Sequence, residues 1–283
     1  MILVTGATGN VGSHVVDMLI KESIPVRVTT RDENNIPDEW IGNVDVFVTD
    51  FNNPNDINSA FDSVEGLILI TPANEEMEIQ QKNIVESAKV NGVKRIIKLS
   101  GLGAGPDAEI RLPKAHYKIE EFIKASGIDY IFVRPNLFMQ TLMGSYESIV
   151  QNRAIYAPAG TGKISFIDAQ DIAAVIVSAL CTNEFNRSID ITGPDAVSYT
   201  EIASKLSNAT GSSVEFVDVT ESTAKESMLA SGLSDWLSEA FLELFQVYRA
   251  NLGSAVLSHN IKAETGTTVT TIDQFIQNNF QTN

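Results

Sequence analysis

The feature that most constrains this chain is the spacing of three glycines in TGATGNVG at positions 5–12. Ile2, Leu3 and Val4 before them form a short apolar run that reads as a buried strand. Val11, Val15, Met18 and Leu19 after them recur at helical spacing. The order of events is therefore strand, tight turn, helix. Gly6 permits the sharp turn, Gly9 permits backbone to approach a ligand closely, and Gly12 lets the helix pack near the strand. The free N–H groups of the helix start then face a phosphate with no side chain in the way. Gly6, Thr8, Gly9, Asn10, Val11 and Gly12 thus form a phosphate-facing set.

Strands and helices alternate beyond this turn. Residues 25–31, 44–48, 66–70, 95–99 and 130–133 read as strands, and 75–91 and 115–125 as helices, the last closed by Gly127. The run at 66–70 is nearly all apolar, as a strand covered on both faces should be. Such alternation implies right-handed crossovers and a parallel, doubly wound sheet of Rossmann type. Ligands of such sheets bind at the carboxyl edge. That edge collects Arg31 after the second strand, Asp50 and Phe51 after the third, and Thr71, Pro72 and Ala73 after the fourth. Ser100 opens a glycine-rich loop after the fifth, and Pro135 and Asn136 end the sixth. A basic residue after the second strand accommodates the 2′-phosphate of NADP, where an acidic one would take the ribose of NAD. Arg31 therefore favours NADP(H), with NAD(H) the alternative because Asp32 and Glu33 follow at once. Phe51 is placed to stack on adenine, with Asp50 on its amino group, or else the two are a core ring beside a polar strand end.

The rhythm changes after Asn136. Residues 137–150 read as helix, 163–167 as strand, 171–180 as helix, 188–191 as strand, 199–209 as helix and 214–219 as strand. An apolar stripe of Trp236, Leu237, Ala240, Phe241, Leu244, Phe245 and Tyr248 reads as the core of a small C-terminal domain rather than an aromatic binding box. The expected division is a nucleotide-binding domain of residues 1–135 and 163–188, and a smaller α/β substrate domain of residues 136–162 and 189–283.

Composition narrows the partners. Twenty basic against 36 acidic residues give a net charge of −16, which repels phosphate backbones and disfavours direct nucleic-acid binding. Cys181 is the only cysteine and there are three histidines, so no internal disulfide and no metal site are expected. No targeting segment and no apolar run of membrane length is seen, so a soluble, cytoplasmic protein without a membrane partner is expected. The sequence leaves the oligomeric state open, a homodimer included.

TGATGNVG, Arg31, DFNNP at 50–54 and HYKIEEFIKASGIDYIFVRPNLFMQ at 116–140 together resemble one family. It is the NmrA-like branch of the atypical short-chain dehydrogenase/reductases, and within it the quinone oxidoreductase type 2 and triphenylmethane reductase group. GTGKISFIDAQDIA at 160–173 and ITGPDAVSYTEIA at 191–203 are similar too, so the resemblance spans nearly the whole chain. It implies an NADP-binding Rossmann domain, a smaller C-terminal domain and a substrate cleft between them. The wider superfamily often carries Tyr-x-x-x-Lys as its acid. Counting back from Glu120, those positions hold Leu112 and His116, so the usual tyrosine chemistry is unsupported. His116 resembles the histidine of the quinone- and dye-reducing members and is the candidate catalytic and ribose-binding residue, unless it merely satisfies a buried polar contact. Leu112 and Phe138 are the candidate substrate contacts.

Three functions follow. One is an enzyme passing a hydride from NADPH to a quinone or another conjugated small-molecule acceptor, chemistry that needs stacking and orientation but no strong acid. The second is a sensor of the NADP(H) ratio that docks on a regulator. The third, a nucleotide-sugar epimerase, matches the fold and lacks its tyrosine.

Overall fold

A computed structural model describes residues 1–280 of the 283-residue chain. In chain order it contains β1 (Ile2–Val4), α1 (Asn10–Lys21), β2 (Val26–Thr30), β3 (Asp45–Val48), α2 (Pro54–Ser59), β4 (Gly66–Leu69), α3 (Met77–Val90), β5 (Arg95–Leu99), α4 (Arg111–Ser126) and β6 (Asp129–Pro135). It continues with α5 (Tyr146–Asn152), β7 (Ala154–Ala157), β8 (Lys163–Ile164), α6 (Ala169–Ser178), β9 (Arg187–Ile191), β10 (Val197–Ser198) and α7 (Tyr199–Thr210). The last elements are β11 (Glu215–Asp218), α8 (Glu221–Ala230), α9 (Asp235–Arg249), α10 (Asn260–Thr265) and α11 (Ile272–Phe280).

The chain forms two compact units, one of Met1–Arg134 with Ile172–Asp190, the other of Pro135–Asp171 with the chain from Ile191 on. In the first unit seven strands form one sheet in the order β3-β2-β1-β4-β5-β6-β9. β1 pairs in parallel with both β2 and β4, and β2–β3, β4–β5 and β5–β6 are parallel as well. Strand order reverses between β1 and β4, which makes the carboxyl ends of those strands the topological switch point. Local chemistry explains the elements. Leu67, Ile68 and Leu69 of β4 are fully buried, and each stabilises the sheet by roughly 1.5–3 kcal/mol of apolar burial. α1 turns Val11, Val15, Val16 and Leu19 inward, with Lys21 in its last turn. α4 ends on Gly127, whose φ of 79° is the left-handed value that a C-cap needs.

The second unit has its own core, in which Ile155, Phe166, Ile202, Leu206 and Ile276 are buried. β7 pairs in parallel with β11, and β8 pairs antiparallel with β10. α7 starts with a capping box between Ser198 and Glu201 and ends on Gly211 at φ 67°.

Three expectations are corrected here. Residues 163–171 belong to the second unit, not to the nucleotide-binding domain. Their contacts explain why: β8 pairs with β10, and the Ser165 hydroxyl donates to the carbonyls of Ser254 and Val256 at 3.2 and 2.7 Å. The strand expected over 163–167 accordingly stops at Ile164. The single helix expected over 137–150 is a 3₁₀ segment, Met139–Ser145, followed by α5. Its entry is pinned by the parallel bridge of Phe138 to Ile167, and Gly144 is a poor α-helix former. The last three residues of the expected C-terminal domain lie outside the described residues.

Candidate active site

The three glycines of the first turn do different work. At Gly6, φ is +60° and a Cβ would lie 2.7 Å from the Ile70 carbonyl oxygen. At Gly12 a Cβ would lie 2.1 Å from the Gly6 oxygen and 2.9 Å from the Ala7 Cα, so α1 packs on the turn only because no side chain is there. At Gly9 a Cβ would meet nothing closer than the Gly6 oxygen at 3.3 Å. Gly6 and Gly12 serve the fold, whereas the space at Gly9 is reserved in front of α1. No side chain caps the first turn of α1, so its N–H groups are left for an anion. Thr8, Gly9 and Asn10 are exposed on this turn, while the Val11 side chain is buried and offers only its backbone. Thr5 holds the switch point together: its hydroxyl donates to the Ile70 oxygen at 2.7 Å and accepts from the Ile70 N–H at 2.9 Å.

Arg31 stands exposed after β2, without a partner among the described residues. Of the two acidic neighbours that would oppose a phosphate there, Asp32 is turned into its own loop, while Glu33 stays exposed beside it. Asp32 Oδ1 accepts from the Asn34 backbone N–H at 2.9 Å and from Asn34 Nδ2 at 2.8 Å, closing its own turn. At the end of β3, Asp50 Oδ1 accepts from the Asn52 N–H at 3.0 Å, and Phe51 is half-buried. After β4, the Thr71 hydroxyl accepts from the buried Gln81 Nε2 at 2.8 Å, beside exposed Pro72 and half-buried Ala73. These residues, with the glycine turn, lie at the carboxyl ends of β1 to β4.

The next strand holds a residue that sequence reasoning missed. Lys98, next to the carboxyl end of β5, is fully buried. Its Nζ lies 2.9 Å from His116 Nδ1 on α4 and donates to the Leu99 carbonyl at 3.0 Å. Burial first, and Arg134 after it, lower the Lys98 pKa to about 7, against the opposite pull of Glu120. Burial, then Lys98 and Arg134, hold His116 well below its usual value, so its imidazole is neutral. A Lys98 ammonium donates to Nδ1 and thereby fixes the proton of the half-buried ring on Nε2. Gly101 provides the seat for that ring, since a Cβ there would come within 3.0 Å of His116 Cδ2. Leu112, one helical turn earlier on α4, is half-buried and cannot titrate.

Below this pair, Arg134 donates from Nε to Glu120 Oε1 at 2.9 Å and from Nη2 to Oε2, a bidentate pair inside the unit. The Ser100 hydroxyl donates to the same Glu120 at 2.6 Å. Its proton is therefore committed to the protein rather than free for a cofactor. Asn136 is similarly occupied: Nδ2 donates to Ser165 Oγ at 2.8 Å and to the Ser254 carbonyl at 2.9 Å, and Oδ1 accepts from the Leu137 N–H. Pro135, which ends β6, Asn136 and the half-buried Phe138 fall in the second unit. No group of metal-ligating side chains is found among the described residues, and none of their helices is long and apolar enough to cross a membrane.

Comparison with known proteins agrees with this geometry. The NmrA-like family matches residues 1–276. An NAD(P)H azoreductase of Xenophilus azovorans is 32% identical over 276 residues, covering 97% of this chain and 96% of its own. Quinone oxidoreductase 2 of Escherichia coli is 25% identical over 243 residues, covering 84% and 85%. The solved structure of an NADPH-dependent quinone oxidoreductase from Escherichia coli with NADPH superposes with a TM-score of 0.89 at 23% identity, over 99% of this chain and 100% of that one. The chain belongs to the NmrA-like family.

Proposed function

We propose that this chain is an NADPH-dependent reductase that delivers a hydride to a quinone or a similar conjugated acceptor. The observation that carries this reading is the Lys98–His116 pair, which presents a neutral imidazole N–H one helical turn after Leu112, the position where the wider superfamily carries its tyrosine acid. Such a donor can orient a carbonyl oxygen or a ribose hydroxyl, and it is too weak an acid for chemistry that needs full proton transfer. Quinone reduction fits that limit, because the reduced acceptor takes its protons from water. The residues present also fit the cofactor: the open space at Gly9, the uncapped first turn of α1, and the exposed Arg31 with Asp32 turned into its own loop. Bound there, NADPH supplies the hydride. The first turn of α1 and the backbone of residues 9–11 hold the pyrophosphate, and Arg31 faces the 2′-phosphate. His116 orients ribose or acceptor, and Leu112 bounds the acceptor's space. Both NAD(P)H named for the azoreductase and NADPH named for the quinone oxidoreductase support this cofactor.

Arg31→Ala should shrink the preference for NADPH over NADH by about 1–3 kcal/mol, the usual worth of a charge-assisted hydrogen bond. Equilibrium titration with the two cofactors checks it; equal wild-type affinity for both would refute the role of Arg31. The reductase reading itself is tested by following NADPH oxidation with benzoquinone. Steady turnover is expected, and binding of NADPH without turnover of any quinone would favour a sensor.

A further inference from the structure

The buried face of α3 runs through Met77, Gln81, Ile84 and Ala88, at the spacing of one helix stripe. Gln81 stands in that stripe where an apolar residue would serve the core, and it is 1% exposed. One end of its amide is used and the other is not. Nε2 donates to the Thr71 hydroxyl oxygen at 2.8 Å, whereas Oε1 is buried without a hydrogen-bond partner among the described residues. Gln80 beside it is also buried, yet both of its ends are engaged, Oε1 by Asn74 and Nε2 by Glu76. An unpaired buried carbonyl destabilises a fold, so the reason for a glutamine here lies at its other end.

That end is Thr71. Its backbone is pinned beside the glycine turn. The Thr5 hydroxyl donates to the Ile70 oxygen at 2.7 Å, and a Cβ on Gly6 would lie 3.2 Å from the Ile70 carbonyl carbon, to which the Thr71 nitrogen is bonded. The Thr71 side chain is half-buried. A threonine hydroxyl has one proton and two lone pairs. Gln81 fills a lone pair, so the proton points elsewhere, and no described residue accepts it. The reverse amide orientation would draw that proton inward and leave both N–H groups of Gln81 without an acceptor.

We propose that Gln81 is a positioning residue for the cofactor: by filling a lone pair of Thr71 it holds that hydroxyl as an outward donor to a pyrophosphate oxygen. A pyrophosphate oxygen only accepts, so the direction of the Thr71 proton decides whether the contact attracts or repels. The proposal rests on the glycine turn as the pyrophosphate seat and is independent of the acceptor that the enzyme reduces.

The test is calorimetric titration of the full chain with NADP+ and with 2′-AMP, which carries the adenosine and the 2′-phosphate but no pyrophosphate. Thr71→Val should weaken NADP+ binding by about 10- to 100-fold, the range for one hydrogen bond to a charged group. Gln81→Glu should weaken it to a similar extent, because a carboxylate there accepts the Thr71 proton and turns the hydroxyl lone pairs outward. Gln81→Met only frees the hydroxyl to rotate. It should cost about threefold in affinity, one staggered position in three, and it should raise Tm, because the unpaired oxygen is gone. Affinity for 2′-AMP should be unchanged in all three variants. Added to Thr71→Val, Gln81→Glu should have little further effect, since no proton is left to redirect. Unchanged NADP+ affinity in Thr71→Val or Gln81→Glu, an equal loss for 2′-AMP, or fully additive losses in the double variant would each overturn the proposal. Should Gln81→Glu not fold, Gln81→Met decides: a lowered Tm with unchanged NADP+ affinity marks a purely structural glutamine and refutes it. Gly9→Val tests the seat by itself. NADP+ binding lost there but undiminished in Gln81→Glu refutes this proposal alone, whereas binding retained in Gly9→Val overturns both.

Discussion

Gly9→Val is expected to fold normally and to lose measurable NADPH binding. The backbone at Gly9 has φ −84° and ψ 175°, an extended conformation open to any residue, and a Cβ there meets no atom closer than 3.3 Å. A branched side chain therefore costs the protein little, yet it fills the space before α1 where a pyrophosphate would approach. Gly12→Ala should do the opposite. Its Cβ would collide with backbone at 2.1 Å, and shifting that backbone costs about 1–3 kcal/mol or more. Thermal unfolding and NADPH titration on both variants separate the effects: lost affinity at an unchanged Tm for Gly9→Val, a lowered Tm for Gly12→Ala. Undiminished NADPH affinity in a folded Gly9→Val would remove the phosphate-binding role from this turn.

His116→Ala should lower quinone reduction by roughly 10- to 1000-fold, the range for losing a positioned polar group, with much less change in NADPH affinity. Lys98 gives the same site a pH dependence. Below its pKa of about 7 the ammonium donates to His116 Nδ1 and keeps the proton on Nε2. Above it the neutral amine can accept from Nδ1, the other tautomer becomes accessible, and the outward donor is lost part of the time. Turnover should therefore fall as pH rises through about 7. Lys98→Met should lower the rate below that pH and flatten the profile, because nothing then sets the tautomer. The charged groups around the pair are Glu120 and Arg134, joined to each other by a bidentate bond. Steady-state kinetics across pH decides the matter: full activity in His116→Ala ends the catalytic role, and an unchanged inflection in Lys98→Met ends the tautomer argument.

Much of the first unit is legible from its residues because local and global signals agree there. The glycine spacing, the all-apolar β4 and the glycine after α4 each have one satisfactory conformation. Where the sequence misleads, a distant partner decides. Lys98 looks like a solvated strand residue until α4 brings His116 to it, 18 positions later. Asn136 and Ser100 stand where a ligand contact is expected at strand ends, but Ser165, Ser254 and Glu120 claim their polar atoms. Asp32 shows the converse: an acid that follows Arg31 in sequence spends its carboxylate oxygen on a turn it closes itself. The segment 163–171 follows helix and strand signals into the wrong unit, because its partners Val197 and Ser254 lie far along the chain.

The most direct test of the reductase account is a balance of NADPH consumed against quinol formed, with purified protein and benzoquinone in the absence of any other reductant. The account predicts mole-for-mole conversion that disappears in Gly9→Val and falls in His116→Ala. Tight NADPH binding with no quinol formed would contradict it.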